Sequence, residues 1–449
     1  MIQPSIPKGT RDFPPAVMRK RQFILDTIRG TFERYGFQPL ETPSMENLTT
    51  LEGKYGEEGD QLMFRVLDNG DILEKARDAA DTRQLVSRVS SKALRYDLTI
   101  PFARFVVMNQ HQLIFPFRRY QIQPVWRADR PQKSRYREFF QCDADIIGTD
   151  SLLCEIELLQ LLDEALSALG LKDSGIRINH RSLLAGLAGL TGRPEMLPDI
   201  MVAIDKLDKI GWEGVSQELL LKGMDNRAIQ VVANFIAMKG DHSQVLQALR
   251  ALFPEGSPGH PGLLCLAQIL ENSFAGLGSR VQVDLSLARG LHYYTGTIIE
   301  AQPPAGVKTG SIAGGGRYDD LTGLFGLKGI SGVGISFGVD RIYDALEELG
   351  LFPPDQGKRT RVLFLNLGQE GMEQSYRLLK ALRLAGTPAE IYPSPAKMDR
   401  QLKYADKNGI PFVVMIGSSE LEAGKLSLKD LSTGQQTLIE AEELLGRSF

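Results

Sequence analysis

Cysteine is scarce in this chain, with three in 449 residues (Cys142, Cys154 and Cys265) and no Cys-x-x-Cys pair, so a disulfide framework is excluded. The five histidines are scattered; no zinc is expected, nor any metal site fixed by the protein alone. No apolar run approaches the roughly 18 residues of a membrane helix. The first residues include Pro4, Pro7, Lys8, Arg11 and Asp12 and offer neither a hydrophobic signal core nor a Ser/Arg-rich leader. A cytoplasmic protein away from any membrane is the expectation. A strong charge of either sign is also missing: a net −3 excludes a general polycation but leaves local basic footprints open. There is no Gly-x-x-x-x-Gly-Lys-Ser/Thr loop, so any nucleoside triphosphate must be gripped by another device.

What is present exceeds one ordinary domain of about 100–200 residues. Phe23, Ile24, Ile28 and Phe32 recur at helical spacing over residues 20–35, and Gly36 supplies a left-handed stop. Prolines then hold residues 36–43 extended. Residues 87–105 lead into a strand-rich region reaching Gly148, with residues 94–101 read as a strand carrying a buried carboxylate. Residues 152–280 are mostly helical; Ile200, Ile204, Leu207 and Ile210 share one stripe, and Val245, Leu249 and Leu252 another. Strands return where Val281, Val283, Leu285 and Leu287 alternate with polar residues. A polar, proline-bearing linker, 352–359, precedes a regular strand–helix alternation over 360–449, which predicts a small α/β domain.

Three segments carry chemistry. In Arg135-Tyr136-Arg137-Glu138-Phe139-Phe140-Gln141-Cys142-Asp143-Ala144-Asp145-Ile146-Ile147-Gly148, strand geometry puts Phe139, Gln141, Asp143 and Asp145 on one face and apolar residues on the other. With Val125-Trp126-Arg127-Ala128-Asp129-Arg130 before it, this is a two-stranded platform with arginine-rich ends, suited to bidentate phosphate binding. The plainer alternative is a half-exposed hairpin with solvated charges. Gly332-Val333-Gly334-Ile335-Ser336-Phe337-Gly338-Val339-Asp340-Arg341 reads as a strand of small residues ending where a helix begins. Ala288-Arg289-Gly290-Leu291-His292-Tyr293-Tyr294-Thr295-Gly296-Thr297, followed by Gly314-Gly315-Gly316-Arg317-Tyr318-Asp319, is the third.

Together these segments resemble motif 2, motif 3 and the two histidyl-specific motifs of the class II histidyl-tRNA synthetase family. Lys8-Gly9-Thr10-Arg11-Asp12 and the segment around Pro43, similar to motif 1, extend the resemblance over nearly the whole chain. It implies an α+β architecture: an antiparallel-sheet catalytic domain in two parts (1–170 and 281–351), a helical insertion (171–280), the linker 352–359 and a C-terminal α/β anticodon-binding domain (360–449). It implies ATP, L-histidine and tRNA(His) as partners, magnesium accompanying ATP, and a homodimer built on motif 1.

By the same resemblance Arg127, Arg289 and Arg341 are the catalytic residues. Histidine would meet Asp97, Leu98, Thr99, Arg127, Gln141, Asp145, Arg289, Tyr293 and Tyr294. ATP would meet Arg127, Asp129, Arg135, Phe139 and Arg341. The insertion would clasp the acceptor arm, and Arg377, Lys380, Arg383, Lys397, Arg400 and Lys403 are candidates for tRNA phosphates. Two features depart from the pattern: His292 stands where many bacterial members carry aspartate, and residues 68–92 are longer than in compact forms. The rival reading is the histidine-sensing regulatory paralogue of ATP phosphoribosyltransferase. That paralogue lacks the C-terminal domain and erodes the ATP arginines, which are present here.

Overall fold

A computed structural model of the chain describes residues 3–53, 62–272, 276, 280–288, 294–354 and 360–449. It divides into two compact units, Met1–Pro353 and Pro354–Phe449.

The larger unit opens with the helix Pro15–Arg34, whose first position tolerates proline because no intrahelical N–H bond is made there. Its buried face carries Ile24, Leu25, Ile28 and Phe32, as the spacing predicts. Gly36, at φ +76°, then turns the chain out of the helix.

The strands of this unit begin with β1 (Gln38–Pro39), β2 (Met45–Asn47), β3 (Arg65–Val66), β4 (Lys92–Leu94), β5 (Phe117–Trp126) and β6 (Glu138–Ile147). They continue with β7 (Gly175–His180), β8 (Val281–Val283), β9 (Thr297–Gln302), β10 (Ala313–Tyr318) and β11 (Gly332–Gly338). The main sheet runs β1-β5-β6-β11-β10-β9-β7-β8, and β2, β4 and β3 form a smaller one. From β5 to β7 every pairing is antiparallel; only the outer pairs β1/β5 and β7/β8 are parallel.

Cys142, Ala144 and Ile146 of β6, with Val333, Ile335 and Phe337 of β11, join one core with Ile28 and Phe32, Leu158 and Leu162, and Ile342. Those partners come from the helices Pro15–Arg34, Leu153–Ala168 and Val339–Leu349. Burying each such side chain contributes about 1.5–3 kcal/mol, enough to pin the sheet's register. The alternate residues of both strands are thereby left to the opposite face.

Four local expectations are corrected. Residues 94–101 do not continue as a strand: β4 ends at Leu94, and Thr99–Asn109 is a helix. Asp97 Oδ1 accepts from the Ile100 N–H at 3.3 Å, and Pro101 in the first turn costs no helical bond. The region 171–280 opens not with a helix but with β7, a strand of the main sheet; its helices begin at Arg181. Ile200 and Ile204 are buried, but Ile210 is 45% exposed because Gly211, at φ +67°, breaks the helical path beside it. Finally, β8 stops at Val283, where Asp284 Oδ1 accepts from the Ser286 N–H at 3.0 Å in a turn. Leu285 and Leu287 stay buried, their carbonyls bonded by the Asn179 amide at 3.4 and 3.0 Å.

The smaller unit holds β12 (Val362–Phe364), β13 (Ala389–Ile391), β14 (Phe412–Met415), β15 (Leu426–Asp430) and β16 (Gln436–Ile439) in the order β13-β12-β14-β15-β16. Val362 and Phe364 pack with Leu378, Leu379 and Leu382 of the helix Met372–Leu384. Leu363, between them, packs with Val413 and with Ala405 of the helix Met398–Lys407. Period-two alternation thus covers both faces with helices, as expected of an α/β domain.

Candidate active site

The open face of the main sheet carries a cleft of about 440 Å³. Phe139, Gln141, Asp143 and Asp145 of β6 line it while their neighbours fill the core. Small residues in β11 make the room: a Cβ on Gly334 would stand 2.0 Å from Asp145 Oδ1. A Cβ on Gly315 of β10 would lie 2.1 Å from the Gly334 carbonyl oxygen, so both strands need glycine for this approach.

The deep end is ionic and closed. Arg119 of β5 lies opposite Asp145 in register, and the two form an ion pair at 2.8 Å, Arg119 fully buried and Asp145 nearly so. The Arg119 guanidinium also lies 4.3 Å from the Phe102 ring centroid. The Tyr318 hydroxyl donates to Asp145 Oδ1 at 2.6 Å, and burial followed by the Asp145 charge pushes that phenol well above its usual range. Asp143 is 2% exposed, and its Oδ1 has no hydrogen-bond partner. Burial raises the pKa of both carboxyls; Arg119 opposes this in each, and Asp145 adds to it at Asp143.

The outer end is more open. Arg127 Nε donates to the Tyr96 carbonyl at 2.8 Å, with its guanidinium 5.2 Å from the Phe139 ring centroid. Arg135 Nη2 pairs with Asp129 Oδ1 at 2.8 Å, and Arg341 Nη1 donates to the Ser311 carbonyl at 2.8 Å. Buried Asp340, just before Arg341, takes an ion pair from Arg11 at 2.5 Å and a second from Arg21. The N-terminal segment is thereby tied to the junction that carries Arg341. Backbone acceptors and the Asp129 carboxylate hold these arginines in place.

The cleft brings together Asp97, Thr99, Arg127, Asp129, Arg135, Phe139, Gln141, Asp145, Tyr294 and Arg341 of the sequence-derived set. Leu98 is not on its wall; that side chain is completely buried, because it faces inward beside the helix start. Arg289 and Tyr293, with His292, lie outside the described residues.

Sequence reasoning missed Arg119, Asp143 and Tyr318 as members of the site. A signal existed for the first two. Arg119, Gln121 and Gln123 alternate along β5 as Gln141, Asp143 and Asp145 do along β6, and they pair in that register. Tyr318 was inside a motif already singled out. Arg95 was missed as well: fully buried, it donates to the carbonyls of Thr42, Pro43 and Pro124 at 2.6, 3.1 and 3.0 Å. It fastens the Pro43 segment behind the cleft, and burial lowers its pKa to about 10.

Known proteins resemble this chain over nearly its whole length. A family model for histidyl-tRNA synthetase matches residues 9–342, and one for an anticodon binding domain matches residues 361–447. A histidine–tRNA ligase of Christiangramia forsetii is 49% identical over 99% of both chains. One of Bacteroides fragilis is 49% identical over 99% of this chain and 98% of its own. The crystal structure of histidyl-tRNA synthetase from Nostoc sp. PCC 7120 superposes with a TM-score of 0.82 at 32% identity, covering 99% of each chain. An ATP phosphoribosyltransferase regulatory subunit/histidyl-tRNA synthetase from Bacillus halodurans shares the fold, with a TM-score of 0.71, 21% identity, and coverage of 89% of this chain and 96% of its own. The full-length ligase relatives disfavour the regulatory reading. The chain belongs to the histidyl-tRNA synthetase family and is an aminoacyl-tRNA ligase.

Proposed function

We propose that the cleft houses both half-reactions of this ligase: histidine and ATP give histidyl-adenylate and pyrophosphate, and the histidyl group then passes to the 3′ end of tRNA(His). The observation that carries this reading is the cleft's two-ended construction. One end is a closed ionic floor suited to imidazole, and the other a rim of fixed arginines suited to phosphate.

At the floor, Asp145 is oriented by Arg119 and Tyr318 to accept from a ring N–H. A buried, hydrogen-bonding floor of this kind rejects apolar side chains, whose binding would leave its polar groups unpaired. Asp97, Thr99 and Gln141 would hold the α-ammonium, with Tyr294 beside the ring. At the rim, Arg127 would bridge the substrate carboxylate and the α-phosphate, Arg341 would meet the γ-phosphate, and Phe139 would stack on adenine. Asp129 and Arg135 would complete the nucleotide contacts, and Arg289 would add a second donor at the α-phosphate. The carboxylate oxygen attacks the α-phosphorus, pyrophosphate departs, and preorganised positive charge stabilises the transition state.

The residues present fit a magnesium ion held mainly by the nucleotide. Among the described residues no cluster of three acidic, histidine or cysteine side chains could hold a metal. Buried Glu300 lines the cleft and would share the ion with phosphate oxygens, where magnesium neutralises phosphate charge. Insertion helices against the acceptor arm, the C-terminal unit on the anticodon, a homodimer and a cytoplasmic location complete the reading. No helix of the described residues is long and apolar enough to cross a membrane.

Histidine-dependent ATP–pyrophosphate exchange without tRNA is the test. Exchange with histidine alone among the amino acids supports the assignment. Folded protein that binds histidine without exchange, or that exchanges with another amino acid, overturns it.

A further inference from the structure

Three carboxylates are buried together at the deep end of the cleft, and one oxygen of Asp143 has no hydrogen-bond partner there. Asp97, Asp143 and Asp145 all line this part of the cleft and all are at least 97% buried. Arg119 behind them makes its 2.8 Å ion pair with Asp145. Asp143 is repelled by both Asp145 and Asp97, and its Oδ1 is without a partner. A buried carboxylate oxygen left unpaired is costly, and a native site keeps one where a ligand completes it.

We propose that Asp143 is a substrate-binding residue whose Oδ1 accepts a hydrogen bond from the α-ammonium of histidine, so that the ammonium is held between Asp97 and Asp143. The inference rests on the histidine-activating reading and adds to it a contact absent from the expected binding set. Strand geometry supports the placement. Asp145 and Asp143 are two residues apart on one face of β6, about 6.5–7 Å along the strand. That is comparable to the length of one histidine molecule from ring to ammonium. With Asp145 committed to the ring, Asp143 falls at the ammonium, next to Gln141, whose amide donates to Ser336 Oγ at 3.0 Å. A cationic group there gives the idle oxygen a donor and offsets the repulsion Asp143 feels from Asp145 and Asp97.

The experiment is calorimetric titration of the full-length protein, wild type and Asp143→Asn, with three ligands in the absence of ATP. Histidine carries ammonium and carboxylate, histidinol keeps the ammonium but lacks the carboxylate, and imidazolepropionate keeps the carboxylate but lacks the ammonium. The proposal expects Asp143→Asn to weaken histidine and histidinol by about ten-fold or more, the scale of a lost charge-assisted hydrogen bond, and imidazolepropionate by less than about two-fold. Equal weakening of all three would make Asp143 a structural floor residue and overturn the proposal, as would unchanged binding of histidine. A melting curve reports whether the variant is folded; if it is not, Asp143→Ser is titrated in its place with the same outcomes. Wild-type protein that binds none of the three would overturn the histidine reading itself, a failure separate from that of the Asp143 contact.

Discussion

The two ends of the cleft solve the problem of holding charge in opposite ways. At the floor, Arg119, Asp143 and Asp145 are almost sealed from water, and each depends on the others because solvent cannot replace a lost partner. At the rim, Arg135 is 47% exposed and Arg341 leans on a backbone carbonyl, so solvent screens each and their losses should be nearly independent. The floor is thus a unit whose disruption threatens the fold, whereas the rim is a set of separable donors whose disruption threatens chemistry. The difference follows from burial, since both ends sit on the same antiparallel sheet.

The largest test of this contrast is Arg119→Met. Removing the cation from beneath buried carboxylates should cost about 3–5 kcal/mol of stability in urea unfolding. Part should return as pH falls through about 7, where the Asp143 carboxyl takes up its proton. Loss of exchange activity with unchanged stability would break the comparison. Next is Arg341→Ala, expected to slow ATP–pyrophosphate exchange by about 10²–10³-fold, the usual loss for a preorganised transition-state donor. Melting temperature and histidine affinity should hardly move; a collapse in either would place the rim within the fold's support.

Gly334→Ala probes the floor by crowding. Its Cβ would be driven onto Asp145, costing about 1–3 kcal/mol and most of the histidine affinity. Gly189→Ala, where nothing lies within 4 Å of the added carbon, is the matched control and should stabilise by up to about 1 kcal/mol.

The smallest effect is a slope. Burial pushes the Asp143 carboxyl up to about 7 in the folded state, so between the unfolded carboxylate range near pH 4 and that value the folded chain binds more protons than the unfolded one. Its contribution to stability therefore falls as pH rises through this window and is constant above it. Asp143→Asn should remove that slope in melting temperature measured from pH 5 to 8. Buried His180, lowered to about 4, acts in the opposite sense, losing stability as pH falls below its ordinary range, and it cancels when variant and wild type are subtracted. A difference that is flat with pH would refute the charge state assigned to Asp143.

Local pattern, by itself, determined much of this protein. The helix at Pro15–Arg34, the β5–β6 hairpin, the faces of β6 and the strand-to-helix junction at Arg341 follow from apolar period, proline, and strand alternation, each needing only neighbours in sequence. Strand alternation put Phe139, Gln141, Asp143 and Asp145 on one face of β6, while Asp97, Thr99, Asp129, Tyr294 and Arg341 were singled out by the family resemblance of their motifs. What local pattern could not determine was partnership across the fold. The chain turns into the helix Thr99–Asn109 where Asp97 Oδ1 accepts from the Ile100 N–H, and Ile210 left its stripe because one glycine turned the backbone. The pairing of Arg119 with Asp145 joins residues 26 positions apart on different strands, and Tyr318 reaches Asp145 from a third. Only tertiary structure decided those contacts, since the worth of a charge depends on whether burial removes water and which opposite charge the fold puts in its place.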